Sequence, residues 1–110
     1  MSMLMTVISR EYARNENMII EYTKELETLL KGKIIKKSIN GKLYYYLYFR
    51  DGKKVVSKYL GKDDKRISEV REQLNRRSQI ERIIKRLKEE RAQIKKLEAM
   101  LWSYISEVIW

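Results

Sequence analysis

Residues 33–61 read KIIKKSINGKLYYYLYFRDGKKVVSKYLG, and this stretch decides the fold. Asn40-Gly41 and Asp51-Gly52 each separate runs that are rich in Ile, Val, Tyr and Phe. Both dipeptides tolerate positive φ, so each is typical of a two-residue type I′ hairpin turn. Two such hairpins in succession predict a three-stranded antiparallel β-meander with strands at 33–39, 42–50 and 53–60.

The predicted strands have two chemically different faces, because residues that pair outward from a two-residue turn share a side of the sheet. The face that we expect to be buried comprises Ile34, Leu43, Leu47, Phe49, Val56 and Leu60, with Tyr45 crossed by Lys36 and Lys58. The opposite face comprises Lys33, Ile35, Lys37, Lys42, Tyr44, Tyr46, Tyr48, Arg50, Lys53, Val55, Ser57 and Tyr59. This second face is predicted to be a tyrosine surface rimmed by cations.

A helix is predicted before the sheet. Between Arg10 and Lys31, apolar residues recur at the spacing of one helical stripe. We expect this helix to end at Gly32, which can take the left-handed conformation of a C-terminal cap. The opening residues MSMLMTVIS lack the basic start and the long apolar run of a signal peptide, so we expect no targeting segment there.

A long helix is predicted after the sheet, with Asp63 or Asp64 as its N-cap. Its apolar stripe has heptad spacing but slips within residues 75–79, which indicates a stutter, a kink or a true turn between two helices. A heptad stripe left in water would be unstable, so this helix is expected to pair with the first helix, with a second copy, or with both. We expect a homodimer through Ile80, Ile83, Leu87, Ile94, Leu97, Leu101, Tyr104 and Val108.

The expected fold class is therefore α+β, in three consecutive segments. Residues 1–32 form an N-terminal helix, and residues 33–61 form the basic, tyrosine-rich sheet. Residues 62–110 form a long helix or helical hairpin that builds a coiled coil and serves dimerisation. A chain of 110 residues has room for one small domain and only a modest core.

The composition argues against most enzymatic and metal chemistry. The chain contains no Cys and no His, which removes thiolate ligands, imidazole ligands and the commonest general base. Neither a Gly-rich phosphate loop nor a nucleophile beside a base is visible. We therefore expect no catalytic residues, no metal and no cofactor. The absence of Cys fits a cytosolic protein, so we expect a cytoplasmic location. No run is long and apolar enough to span a membrane, so we expect no membrane partner.

Positive charge is concentrated on the predicted sheet. The chain carries a net charge of +10. The segment from Lys33 to Lys62 contains nine Lys and Arg residues and a single Asp, so its net charge is +8. This clustering predicts a polyanionic partner, either DNA or RNA. The sheet could enter the major groove of a duplex, or its tyrosines could stack unpaired bases. The predicted nucleic-acid-binding residues are Lys33, Lys37, Lys42, Tyr44, Tyr46, Tyr48, Arg50, Lys53, Tyr59, Arg76 and Arg77.

A purely structural interpretation of the same residues remains open. Tyrosine is a good strand former, and lysines on edge strands prevent aggregation. If one of the helices lay over the tyrosine surface, the rings would be core residues and would have no ligand.

Two segments resemble a known family: GKLYYYLYFRDGKKVVSKYLGK and the charged helix RISEVREQLNRRSQIERIIKRLKEE. The chain resembles short basic proteins of phages, plasmids and other mobile elements, a family without an agreed activity. The shared features are an aromatic strand, a Gly turn, a basic strand and a closing Tyr-Leu-Gly. The resemblance spans residues 33–97. Some members carry Cys residues near the hairpin that could bind a metal, but this chain has none, so no metal role is implied. The sheet is also similar in pattern to the DNA-reading module of some tyrosine recombinases.

Two functions from different classes remain at this stage. The first is a dimeric, non-enzymatic accessory protein of a phage or mobile element that binds DNA or RNA with its sheet. The second is a phage-encoded inhibitor that binds a host defence complex, of which an anti-CRISPR protein is the most concrete version, or a coiled-coil adaptor. The concentration of charge among the aromatic residues favours the first.

Overall fold

The computed structural model describes residues 3–62 and 64–109. Five elements follow one another: α1 (Met3–Thr28), β1 (Lys33–Ile39), β2 (Lys42–Asp51), β3 (Lys54–Gly61) and α2 (Asp64–Ile109). The strands form one antiparallel sheet in the order β1-β2-β3. The predicted α+β fold, with a helix before the sheet and a long helix after it, is confirmed. Asp63, one of the two predicted caps, lies outside the described residues.

The chain divides into two compact units. The sheet unit comprises Thr28–Gln79. The helical unit combines the chain up to Glu27 with the chain from Ile80 onward. α2 is continuous through the polar run 75–79, so the slip in its apolar stripe is not a turn between two helices. Within the described part of the chain, no helix has the length and apolar character needed to cross a membrane.

The first hairpin has the predicted two-residue turn. Ile39 pairs with Lys42 across Asn40 and Gly41. Both turn residues have positive φ, 52° at Asn40 and 77° at Gly41, as a type I′ turn requires.

The second hairpin turns one residue later than predicted. Asp51 pairs with Lys54, so the turn residues are Gly52 and Lys53 instead of Asp51 and Gly52. Gly52 has φ of 63°, and the positive-φ residues of the described chain do not include Lys53. Positive φ at the first central position alone is the type II′ pattern, which requires Gly there. The correction moves the β2–β3 pairing by two residues, and an even shift leaves the side chains of the paired residues on their predicted faces. Lys53 is the exception, because it becomes a turn residue.

A β-bulge interrupts the pairing of β2 with β3. Tyr46 pairs with Tyr59, but Tyr45 pairs with Gly61. Leu60 is therefore an extra residue in β3 without an opposite partner in β2. Its side chain is buried in the core.

The core of the sheet unit lies between one face of the sheet and the first turns of α2. Leu47 and Leu60 are buried together with Ile67 and Val70 of α2. The partly buried residues that pack against this cluster are Ile34, Tyr45, Phe49 and Leu74.

Leu43 does not belong to this core, although it was predicted to be buried. It is 50% exposed and pairs with Ser38 near the first turn. The β2 residues that reach the core cluster are Tyr45, Leu47 and Phe49, so Leu43 lies beyond the end of the packed region.

The connection between α1 and β1 is held by two side chains of α2. The Nη1 of Arg77 donates a hydrogen bond to the carbonyl oxygen of Leu29, at 3.3 Å. The Oε1 of Gln73 accepts a hydrogen bond from the backbone N–H of Leu30, at 3.1 Å. Because these side chains satisfy backbone groups that a longer helix would have used, α1 ends at Thr28, before the end predicted from the sequence.

Gly32 is needed for a close approach of two backbone segments. Its φ is 127°, in the region that favours glycine. A Cβ at this position would lie 2.3 Å from the carbonyl oxygen of Tyr48 and 3.0 Å from the Cβ of Phe49. Gly32 therefore lets the chain pass directly against β2, a role different from the predicted helix cap.

In the helical unit, α1 packs antiparallel to the C-terminal part of α2. The contacts between them include a hydrogen bond from Asn15 Nδ2 to Leu87 O at 2.8 Å and an ion pair of Arg14 with Glu90 at 3.8 Å. Lys95 Nζ also lies 5.9 Å from the ring centroid of Tyr12. Residue numbers fall along α1 as they rise along α2, which defines the antiparallel direction. α1 begins at Met3, before the predicted start at Arg10.

The heptad stripe of α2 is partly used within the chain. Ile80, Leu87 and Ile94, spaced by seven residues, are buried, as is Ile19 of α1. The predicted coiled coil is thus formed with α1. Ile80, Leu87 and Ile94 are thus buried within the chain, and the homodimer expected through this stripe stays a prediction. Leu97, Tyr104 and Val108 of the same stripe remain exposed, and Ile83 and Leu101 are half-buried.

Candidate nucleic-acid interface

One face of the sheet carries four tyrosine rings. Tyr44, Tyr46 and Tyr48 occupy alternate positions of β2, and Tyr59 lies on β3 opposite Tyr46. Because side chains alternate along a strand, these residues project away from Leu47 and the core. We call this surface, formed by Tyr44, Tyr46, Tyr48 and Tyr59, the tyrosine face. Tyr59 is 49% exposed, and the other three residues are half-buried.

The rings of the tyrosine face pack against one another around Tyr59. The centroids of Tyr46 and Tyr59 are 5.3 Å apart with an interplanar angle of 53°. Those of Tyr44 and Tyr59 are 6.3 Å apart at 43°. Tilted pairs at these separations are favourable aromatic contacts. A Cβ at Gly61 would lie 3.9 Å from the Tyr59 ring, so a side chain at this position would still leave room for the ring. Tyr59 is therefore held in a defined orientation.

Two lysines flank the rings. The Nζ of Lys37 lies 5.0 Å from the ring centroid of Tyr46 and 5.3 Å from that of Tyr48. The Nζ of Lys62 lies 5.0 Å from the centroid of Tyr44. Cations at this distance from a ring face are attracted by its quadrupole, so both ammonium groups are held beside the aromatic surface.

Lys37 and Tyr48 shift each other's protonation equilibria. A hydrogen bond to Tyr48 raises the pKa of Lys37 above its ordinary value of 10.5. The same hydrogen bond from Lys37 lowers the pKa of Tyr48 below the ordinary 10.0 of a phenol. Lys37 is thus fully charged at neutral pH and presents a fixed cation on the tyrosine face.

We expect Tyr48 to lose its proton at a lower pH than an isolated tyrosine. Its titration can be isolated as the difference in phenolate absorbance between the wild type and Tyr48→Phe. Changing Lys37 to Met should raise the midpoint of this difference titration, because the cation that stabilises the phenolate is removed. An unchanged midpoint in the Lys37→Met protein would contradict the contact.

The remaining predicted cations of the sheet surround the tyrosine face. Lys33 of β1 pairs with Tyr48, and Lys42 and Arg50 lie near the two ends of β2. All three residues are exposed. The predicted position of Lys53 is wrong, because this residue lies in the second turn and not on β3. Val55 shares the face and is 62% exposed, so the surface contains open apolar area beside the rings.

The two predicted arginines of α2 are not joined to the tyrosine face by the contacts just described. The guanidinium of Arg77 holds the carbonyl oxygen of Leu29, so it has a role within the fold. Arg76 lies on the same helix and is exposed. Their assignment to nucleic-acid binding was based on charge pattern alone and stays a prediction.

Lys62 was missed by the sequence-based prediction. Strict alternation after Tyr59 would place Lys62 on the core face, because it is three residues further along. The bulge at Leu60 inserts one residue and pairs Gly61 with Tyr45, so continuing the ladder by one step sets Lys62 opposite Tyr44. A bulge of this kind has no reliable signature in a single sequence.

Comparison with known proteins places most of these elements in one family. A family model described as Domain of unknown function (DUF6788) matches residues 8–72, which is more than half of the chain. The chain belongs to the DUF6788 family. The DUF6788 match contains most of α1, the whole sheet with its tyrosine face, and the first turns of α2. No curated protein shows a significant match to the chain, and no solved structure does.

Proposed function

We propose that the protein is a small, non-enzymatic nucleic-acid-binding accessory protein of a phage or mobile element. In this proposal the tyrosine face and its lysines contact bases and phosphates. The observation that carries the proposal is the position of α2, which packs on the core face of the sheet. The tyrosine face is left with an exposed ring at Tyr59 and ammonium groups beside its neighbours.

The charge of the sheet suits a phosphate-bearing ligand. From Lys33 to Lys62 the net charge is +8, from nine Lys and Arg residues and one Asp. Lys and Arg release condensed counterions when they contact phosphates, so binding should weaken steeply as salt is raised. The aromatic rings provide the second component, contact with bases.

The structural interpretation, in which the rings serve only as a core, is less favourable. It needs an element of the chain to cover the tyrosine face. Tyr59 and Val55 are exposed to 49% and 62%, which is more than a covered sheet surface would allow. Large exposed apolar and aromatic surface is typical of interaction sites.

Adjacent lysines on opposite faces provide a matched test of the proposal. Lys37 lies on the tyrosine face, whereas the Nζ of Lys36 lies 5.9 Å from the ring of Tyr45 on the core face. Lys37→Glu and Lys36→Glu change the net charge equally. We expect Lys37→Glu to weaken binding of a fluorescent oligonucleotide about tenfold more than Lys36→Glu, with a shallower salt dependence. Fluorescence anisotropy at several salt concentrations measures both quantities.

Equal losses in the two variants would contradict a binding site on the tyrosine face. A second variant, with Tyr46, Tyr48 and Arg50 all changed to Ala, should abolish a salt-sensitive gel shift. Circular dichroism of each variant checks that the fold is retained. The protein-binding inhibitor would be favoured instead if the protein co-purified with a host nuclease complex even after nuclease treatment and did not bind free nucleic acid.

A further inference from the structure

We infer that the tyrosine face binds unpaired bases, with Tyr59 as the ring on which a base stacks. This inference rests on the proposed function and specifies its ligand as a single strand. It follows from the unequal surroundings of the four rings.

Three of the four rings are already occupied by cations. Lys37 lies over Tyr46 and Tyr48, and Lys62 lies over Tyr44. Among the described residues, the cation–ring contacts do not include Tyr59, which is also the most exposed of the four tyrosines. Its ring therefore has accessible surface that a planar group can cover.

The contacts of Tyr59 fix its ring before any ligand arrives. The rings of Tyr44 and Tyr46 pack against the ring of Tyr59. A ring that is already ordered loses little conformational entropy when a base stacks on it. Base stacking on such a ring therefore adds to the affinity for a single strand.

The neighbouring cations suit the backbone of the same strand. Lys37 belongs to β1 and Lys62 follows β3, so the ammonium groups come from opposite edges of the sheet and Tyr59 packs among the rings that they contact. A strand that crosses the sheet can place one base on Tyr59 and phosphates near Lys37 and Lys62. In a duplex the base faces are stacked on each other and are closed to such contact, so a duplex could use only the cations.

The test compares three labelled probes by fluorescence anisotropy: a mixed-sequence DNA single strand of about 12 nucleotides, its RNA equivalent, and the corresponding DNA duplex. We expect at least one of the single strands to bind about tenfold or more tightly than the duplex. Tyr59→Ala should weaken single-strand binding roughly tenfold to a hundredfold and leave duplex binding nearly unchanged. Tyr59→Phe, which keeps the aromatic ring, should bind like the wild type.

The outcomes separate this inference from the proposed function. Duplex binding as tight as single-strand binding, or an equal loss with both probes in Tyr59→Ala, would overturn the stacking role and leave nucleic-acid binding intact. Absence of salt-dependent binding to all three probes would overturn the proposed function itself. The Tyr59→Phe protein keeps the test valid if Tyr59→Ala proves unstable, because a loss of binding on removal of the hydroxyl alone would contradict stacking.

A second, independent inference concerns the helical unit, for which we propose a docking surface for a second copy of this chain. Five large apolar side chains lie on one side of the helix pair, at the end where α1 begins and α2 finishes. Their exposed fractions run from 49% to 83%, and they are Met3 and Val7 of α1 with Leu97, Met100 and Tyr104 of α2.

The ion pair between Arg14 and Glu90 shows that these side chains share one surface. Val7 lies two helical turns before Arg14 and therefore on the same side of α1. Leu97 lies two turns after Glu90 and on the same side of α2. Since the helices are antiparallel, Val7 and Leu97 come to the same end of the pair.

A second helix pair is the occupant that this surface fits best. Each side chain exposes on the order of 100 Å², so two copies would bury roughly 1,000 Å² in total, about the lower limit for a specific interface. An apolar surface spread over two adjacent helices packs well against an identical surface, which would give a four-helix bundle with two-fold symmetry.

Sedimentation equilibrium tests this surface with a matched pair of variants. The wild type should have twice the 13.4 kDa mass of the chain. Changing Leu97 and Tyr104 together to Glu should give a monomer of unchanged helicity. Trp102→Glu is the control, because Trp102 is also exposed near this end but lies beside Ser9 and Tyr12 on another side of the pair. A monomeric wild type, or a dimer that survives the double change, would overturn the proposal.

Discussion

Replacing Gly32 with Ala is expected to lower the free energy of unfolding by roughly 3–5 kcal/mol, the sum of backbone strain and a steric clash. The strain arises because φ is 127°, where residues with a Cβ are disfavoured. The clash arises because the new Cβ would lie 2.3 Å from the carbonyl oxygen of Tyr48, a backbone atom of the central strand. Denaturant unfolding followed by circular dichroism measures the change.

Gly41→Ala is the matched control for this prediction. Gly41 also has positive φ, at 77°, but a Cβ there would have no neighbour within 4 Å. We expect it to cost only about 1 kcal/mol, from the backbone conformation alone. If the two variants unfolded at the same denaturant concentration, the close approach of Gly32 to β2 would be wrong.

Replacing Asn15 with Asp is expected to destabilise the helical unit by several kcal/mol at neutral pH, because an ionised carboxylate would be buried and would lose the donated hydrogen bond of the amide. Asn15 is 1% exposed, and its Nδ2 donates a hydrogen bond to the carbonyl oxygen of Leu87. An ionised Asp would place an oxygen against that carbonyl oxygen. The Oδ1 of Asn15 is buried without a hydrogen-bond partner.

The pH dependence of the unfolding free energy distinguishes this electrostatic mechanism from a loss of packing. Burial should raise the pKa of the introduced Asp above its unfolded value of about 3.9. A raised pKa in the folded state means that stability is highest below about pH 4 and falls as pH rises through the folded pKa. The protonated acid can also donate to Leu87, as the amide does. The difference in unfolding free energy between Asn15→Asp and the wild type should therefore shrink in acid.

Asn15→Leu is the control, because Leu has the same number of side-chain heavy atoms and no charge. The carbonyl oxygen of Leu87 keeps its place in the α2 hydrogen-bond ladder, so no backbone group is left unsatisfied. We expect stability close to that of the wild type at every pH. Equal destabilisation by Asp and Leu, independent of pH, would indicate a packing effect and contradict the electrostatic explanation.

The sheet was the part most completely predicted from sequence, because its signals are local. Asn40-Gly41 fixes a type I′ turn by itself. Around Asp51 and Gly52 the sequence permits two turns, since Gly can occupy the second position of type I′ or the first of type II′. The two choices differ by an even number of residues in pairing, so Tyr46, Tyr48 and their neighbours were assigned to the correct face in either case.

The sequence predicts both helices but does not specify which partner each helix packs against. The apolar stripes of α1 and α2 are visible in the sequence, yet a stripe does not specify whether it meets another part of the same chain or a second copy. The buried hydrogen bond between Asn15 and Leu87 joins residues that are 72 positions apart. The bond from Arg77 to Leu29 is likewise a contact between distant segments. Such contacts depend on tertiary packing, which is why Arg77 looked like a surface cation in the sequence.

The extra residue at Leu60 has an evolutionary consequence for the family. A single inserted residue in β3 moves the residues after it to the opposite side of the sheet. Members of the DUF6788 family with one residue fewer between the aromatic position and the closing glycine should present the following cation to the interior side. Loss or gain of one codon could therefore recruit or remove a binding cation without any substitution.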